Sequence, residues 1–183
     1  MDMETTGKEN GNKKKISRRV NVRTPAVMSD VHTEVEQHYR SCIVEKLRES
    51  GGKFTLGNTT IILAKKFGFC YGVERAIDLA YATRRVFPEK KIFLIGEIIH
   101  NPEVNRQLQE MQIMNLAGSS PDAHIRDLTE NDIVIVPAFG AGISMMDEIE
   151  RRGCEVVDTT CGDVMRVWKR VRSYAEQGFT AII

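Results

Sequence analysis

The chain has 183 residues, 42% of them aliphatic or aromatic, and a formal net charge of +1. This is enough apolar material for a real core, in one domain or one domain plus part of another. The net charge is too small to steer the chain onto nucleic acid or an anionic membrane. No run of roughly 18 apolar residues predicts a membrane span, and the start lacks the apolar stretch of a secretory signal. The four cysteines, at 42, 70, 154 and 161, form no Cys-x-x-Cys pair. With no export signal, that predicts reduced thiols in a cytoplasm-like compartment and no disulfide framework.

Residues 1–29 read as a disordered leader, poor in large apolar residues. Its basic cluster, Lys13-Lys14-Lys15 with Arg18-Arg19, reads as solvated charge. A nucleic-acid contact and a targeting tail are the alternatives, though Asp2, Glu4 and Glu9 argue against a transit peptide. Asp30 is placed to cap a helix on which Val31, Val35, Tyr39, Ile43 and Leu47 recur every four residues. His38 and Cys42 flank that stripe as packing residues, and Gly51-Gly52 ends the helix. Phe54–Leu56 and Thr59–Leu63 predict a hairpin around Gly57-Asn58, whose second strand leads to Cys70. The helix after Cys70 buries Val73, Ala76, Ile77, Ala80 and Val86, and Pro88 blocks its continuation.

The next strand, Lys91–Ile95, runs into Gly96-Glu97-Ile98-Ile99-His100-Asn101-Pro102. Asn101 and Pro102 suit the N-cap and first position of a helix. His100 therefore stands just before a helix N-terminus, where free backbone N–H groups favour an anion such as phosphate. A short strand at 113–116 and a polar connection over 117–131, with His124 on the surface, follow. The apolar strand Asp132–Val136 opens onto Pro137-Ala138-Phe139-Gly140-Ala141-Gly142, then a helix over 144–152 closed by Gly153. Cys154 reads as a small buried residue entering the strand Glu155–Asp158. That strand ends at Thr159-Thr160-Cys161-Gly162-Asp163, and the following helix carries Val164, Val167, Trp168, Val171 and Ala175 on one face. Phe179–Ile183 reads as a strand broken off at its apolar centre, the mark of a piece of a longer protein.

Alternation of strands and helices predicts an α/β fold, a mostly parallel sheet with flanking helices. Turns at Cys70, His100, Phe139-Gly140 and Cys161 then line one sheet edge. Three chemistries fit: thiolates holding a metal or cluster, a cysteine nucleophile at Cys70 or Cys161 with His100 as base, and ordinary buried cysteines. The spacing of Cys70 and Cys161 names no metal.

Four motifs in order resemble the 4-hydroxy-3-methylbut-2-enyl diphosphate reductase family of the non-mevalonate isoprenoid pathway. They are Gly68-Phe69-Cys70-Tyr71-Gly72-Val73-Glu74-Arg75-Ala76, Gly96-Glu97-Ile98-Ile99-His100-Asn101-Pro102, Pro137-Ala138-Phe139-Gly140-Ala141-Gly142 and Val157-Asp158-Thr159-Thr160-Cys161. The resemblance covers residues 31–183. It implies the first lobe of a three-domain α/β cloverleaf, with 30–161 as N-terminal helix, hairpin and first α/β domain, and 162–183 as the start of a second. It implies that Cys70 and Cys161 are two of three thiolates of a 4Fe–4S cluster and that His100 binds the substrate diphosphate. It further implies reductive loss of a hydroxyl as water, giving isopentenyl and dimethylallyl diphosphate, with a ferredoxin- or flavodoxin-type electron donor and a cytoplasmic or plastid home. Neither a nucleic-acid nor a membrane partner is expected. Many members have His-Gly where this chain has Phe139-Gly140, so Phe139 is not assigned that histidine's role; a subgroup carries Phe. Many also have Pro where Gly162 follows Cys161. The third cysteine, another diphosphate histidine and the acid that relays protons are expected beyond Ile183. The 183-residue chain alone is therefore expected neither to hold a stable cluster nor to turn over.

Overall fold

In the computed structural model, which describes residues 18–116 and 124–182, the three apolar runs of the central sequence become adjacent parallel strands. They are β4 (Ile92–Leu94), β6 (Ile133–Val136) and β7 (Glu155–Asp158). With β1 (Arg18–Arg19) and β5 (Ile113–Asn115) they form one sheet in the order β1-β7-β6-β4-β5, every pairing parallel. The remaining strands, β2 (Lys53–Leu56) and β3 (Thr59–Ile62), make a separate antiparallel hairpin. The helices are α1 (Pro25–Tyr39), α2 (Cys42–Glu49), α3 (Tyr71–Val86), α4 (Pro102–Glu110), α5 (Ile143–Arg152) and α6 (Gly162–Glu176). None is long and apolar enough to cross a membrane.

β4 and β6 are apolar along their whole length, and β7 at Val156-Val157, because both faces of the sheet are covered there. On one face Ile133, Ile135, Ile92 and Leu94 pack with Ile77 and Ala80 of α3, Val104 and Leu108 of α4, and Val31 of α1. On the other, Val134, Val136, Phe93 and Val156 pack with Ile149 of α5 and Cys154. Ile135 is fully buried and Ile62 is 71% exposed. Ile135→Ala is therefore expected to cost roughly 2–5 kcal/mol of unfolding free energy, and Ile62→Ala no more than about 0.5 kcal/mol. Denaturant titration of the two variants checks this.

Several expectations are corrected. Residues 1–17 lie outside the described residues, with Lys13-Lys14-Lys15 among them, but residues 18–29 are structured. Arg18 and Arg19 add a strand beside β7, Arg19 pairs with Asp158 at 3.4 Å, and Val22 is buried in the core. A short apolar anchor between basic residues is easily read as tail. Thr24, not Asp30, caps the helix, accepting from the Val27 N–H with Pro25 in the first turn; Asp30 pairs instead with Arg85. The expected single helix over 31–50 breaks at Arg40-Ser41, where the Ser41 hydroxyl accepts from Val44 N–H and starts α2. Past that break the stripe turns away from the core: Ile43 is 75% exposed and Cys42 is exposed, not packed. His38 is also exposed, though its Nδ1 lies 2.7 Å from the hydroxyl of buried Tyr81. Val86 is partly exposed. Residues 179–182 form no strand, and among the described residues no strand pairs with them.

Candidate functional site

β4 connects through α4 to β5 on one side, while β6 connects through α5 to β7 on the other. The gap between the C-terminal ends of β4 and β6 is thus the topological switch point, where open α/β sheets form a ligand crevice. His100 follows β4 and Phe139 follows β6. Their rings stack across this gap with centroids 4.6 Å apart and planes 19° from parallel.

Cys161 follows β7, the next strand along. Its turn is stitched to the others through Ala138, whose N–H donates to the Ile98 carbonyl (3.2 Å) and whose carbonyl accepts from the Cys161 N–H (2.9 Å). Cys70 arrives by a different route from the one expected. β3 stops at Ile62 in the separate hairpin, so no strand of the parallel sheet delivers Cys70. An irregular segment carries the chain to the N-cap of α3 instead, and packing of α3 on the sheet sets its height. Arg75 of α3 then reaches the carbonyls of Asp158 and Thr160, both at 3.4 Å, tying the Cys70 helix to the Cys161 turn.

The two thiols converge at Gly72. A Cβ built there would lie 2.5 Å from Cys161 Sγ and 4.0 Å from Cys70 Sγ. Both sulfurs are therefore within 4.0 Å of one point, and the absent side chain leaves the space between them. Each cysteine is an N-cap, Cys70 of α3 and Cys161 of α6, where the helix dipole favours negative charge. The Cys161 thiol does not reach capping hydrogen-bond geometry. Even so, the Asp163 backbone N–H facing it holds its pKa below the ordinary thiol range, against burial, with the Tyr71 hydroxyl (3.9 Å) and the Val164 N–H acting the same way. Cys154 is the opposite case: burial pushes its thiol up to about 11. A lowered pKa means more thiolate at a given pH, and thiolate is the reactive form. At pH 7.5 iodoacetamide is expected to alkylate Cys161 while Cys154 stays unmodified until the chain unfolds, as peptide mass mapping would show.

His100 is 80% exposed on its side chain, and its Nδ1 lies 2.8 Å from Glu97 Oε2. One expectation fails here. The first free N–H groups of α4 were to hold an anion beside His100, but Asn101 Oδ1 already accepts from Glu103 N–H (3.1 Å) and Val104 N–H (3.2 Å). The cap that starts the helix consumes the donors. Among the described residues neither thiol has a histidine partner, and no group of three possible metal ligands occurs. Sequence reasoning missed Gly72, Arg75, Ala138 and Glu97. For Gly72 there was a signal, a glycine in the first turn of a helix that it weakens; Ala138 acts through its backbone and gave none.

The LytB protein family model matches residues 61–183, more than half of the chain. The chain belongs to the LytB protein family. Among curated relatives, 4-hydroxy-3-methylbut-2-enyl diphosphate reductase of Synechococcus sp. (strain CC9311) is 42% identical over 84% of this chain and 39% of its own length. That of Nostoc sp. (strain PCC 7120 / SAG 25.82 / UTEX 2576) is 40% identical over 85% of this chain and 39% of its own. This LytB chain thus spans about two fifths of the length of those relatives. A solved (E)-4-hydroxy-3-methyl-but-2-enyl diphosphate reductase, described as the terminal enzyme of the non-mevalonate pathway, superposes with a TM-score of 0.51 at 28% identity. That match covers 65% of this chain and 40% of the solved one. The Plasmodium falciparum E-1-hydroxy-2-methyl-but-2-enyl-4-diphosphate reductase gives 0.56 at 23% identity, over 63% and 34%, and speaks to the fold alone.

Proposed function

We propose that this LytB chain forms part of a 4-hydroxy-3-methylbut-2-enyl diphosphate reductase, with Cys70 and Cys161 as two ligands of a 4Fe–4S cluster and His100 as a diphosphate ligand. The observation that carries it is the convergence of the thiols of two N-cap residues on the space left by Gly72. The donor set suits such a group: thiolates are its usual ligands, and the lowered pKa of Cys161 favours the thiolate. A further ligand has to come from outside the described residues, as the relatives' greater length allows. When bound, the cluster would supply two electrons and a Lewis-acidic iron for the substrate hydroxyl, which leaves as water with two protons taken up. The residues of this chain bind and orient. His100, at the switch point, presents an imidazole to the diphosphate, an interaction strengthened by charge. Phe139 presents no donor and closes that side of the crevice with apolar surface.

The products would be isopentenyl and dimethylallyl diphosphate, and the electron donor of ferredoxin or flavodoxin type, in a cytoplasmic or plastid setting. The proton-relay acid would lie in the remainder of the protein. The first α/β domain would end near Cys161. α6 buries no residue and exposes Met165, Val167 and Trp168, as the first helix of a second lobe would. A cysteine nucleophile based on His100 is the weaker reading, because the ring's partners are Glu97 and Phe139 and not a thiol. The test is turnover by this chain joined to the remaining length of a cyanobacterial relative and reconstituted anaerobically with iron and sulfide. With reduced methyl viologen it should convert the hydroxy diphosphate to the two isoprenoid diphosphates. A colourless protein that is inactivated by alkylation and turns over without iron would favour the nucleophile.

A further inference from the structure

His100 is held by two groups that the diphosphate reading does not itself require. Glu97 stands three residues earlier on the same turn, its carboxylate 2.8 Å from Nδ1. A carboxylate is an acceptor only, so the ring nitrogen facing it carries the hydrogen, and this fixes Nδ1–H as the donor. Phe139 comes from the other side of the switch point and lies flat on the imidazole at 4.6 Å. At 80% exposure His100 makes few other contacts, so a ring held by neither group would rotate between rotamers and exchange tautomers. The turn carrying Glu97 and His100 is itself fixed. Asn105 donates to the Ile99 carbonyl (2.9 Å) and accepts from Ile98 N–H (3.2 Å), while Ala138 N–H ties Ile98 to the Phe139 turn. Both partners of the ring therefore sit on one stitched frame.

We propose that Glu97 and Phe139 are positioning residues that lock the His100 ring, with Nδ1 turned to Glu97 and Nε2 presented to the diphosphate across the switch point. Phe139 acts as a shelf for the ring and needs no hydrogen-bonding group of its own. Glu97 holds Nδ1 and supplies the negative partner of the imidazolium when Nε2 also carries a hydrogen and donates to phosphate. This deepens the reading of His100 as a diphosphate ligand and rests on it.

The test is NMR of the 15N-histidine-labelled full chain, read on the neutral ring and then with inorganic pyrophosphate. Wild type is expected to show His100 as a single Nδ1–H tautomer. In Glu97→Ala the signals should move to the exchanging mixture of a free imidazole, while Phe139→Ala should keep the tautomer and lose the ring-current shift that the stacked phenyl imposes on the imidazole, with the rest of the spectrum unchanged in both. Neither side chain is buried, with Glu97 49% exposed on its side chain and Phe139 45% exposed overall, so the fold tolerates both changes. Pyrophosphate should shift Nε2 in wild type and much less in Glu97→Ala at the same concentration. A wild-type ring already in tautomeric exchange, or a Nε2 shift equally large in Glu97→Ala, would overturn the inference. If pyrophosphate moves His100 in no variant, the diphosphate reading fails, and the tautomer measurement still decides the lock.

Discussion

Exchange of Cys161 for serine is expected to abolish iron–sulfur loading in a chain extended to the length of its relatives, and reductase turnover with it. A serine hydroxyl is neutral near pH 7 and hard where iron–sulfur iron prefers thiolate. Losing a group that merely orients a metal ligand costs roughly 10–100-fold in affinity or activity, and loss of the ligand itself should exceed that. Cys70→Ser should behave alike, since its sulfur borders the same Gly72 space. The other two cysteines serve as controls. Cys42 is exposed in the first turn of α2, and Cys42→Ser should load and turn over as wild type. Cys154 is fully buried against α5 and β6 and donates weakly to the Thr129 carbonyl. Cys154→Ala should lower stability by about 1 kcal/mol and leave the iron content per folded chain unchanged. Iron and sulfide assays after anaerobic reconstitution separate the four variants. Equal loading of Cys161→Ser and wild type would exclude Cys161 as a ligand.

Gly72→Ala is the second large effect, because two contributions oppose one another and the site decides which matters. Within a helix, alanine is favoured over glycine by up to about 1 kcal/mol. Here the added methyl would lie 2.5 Å from Cys161 Sγ and 3.2 Å from its Cβ, closer than atoms pack. Relief needs the Cys161 side chain or the start of α3 to move, and overpacking of this kind costs typically 1–3 kcal/mol. Melting temperature is therefore expected to fall slightly or hold steady, while a reagent needing both thiols at once suffers more. A trivalent arsenical bridging Cys70 and Cys161 should bind wild type and lose at least ten-fold in affinity for Gly72→Ala. Unchanged arsenical affinity would mean that the Gly72 space is not what brings the sulfurs together.

Much of this site was legible from residue order alone. The strands β4, β6 and β7 were plain because parallel strands covered on both faces carry continuous apolar runs, as in Ile133-Val134-Ile135-Val136. Each was followed by a turn rich in Gly, Pro or Asn, which placed His100, Phe139 and Cys161 at strand ends. Cys70 was read correctly as standing just before a helix, whose N-cap it proves to be, and wrongly as the end of a sheet strand. The hairpin before it has the right β-branched composition, but its Phe54, Leu56, Ile61 and Ile62 are exposed and its two strands form a sheet of their own. Strand order was not legible, since nothing local says that β4 has β5 on one side and β6 on the other. The His100–Phe139 stack depends on that order. Nor was the Asn101 cap foreseen as a competitor for phosphate: the residue that marks a helix start is also the one that occupies its free donors. The anchoring of Val22 in the core was missed because a two-residue strand flanked by charge carries no periodicity.

The most direct test of the shared thiolate site is Mössbauer spectroscopy on the 57Fe-reconstituted chain, extended with the remainder of a cyanobacterial relative, compared with its Cys70→Ser/Cys161→Ser double variant. The parent is expected to show the signature of a 4Fe–4S cluster, with iron and sulfide in equal amounts, and the double variant no cluster signal. A parent that binds no iron, or a double variant with an undiminished cluster spectrum, would contradict the shared site.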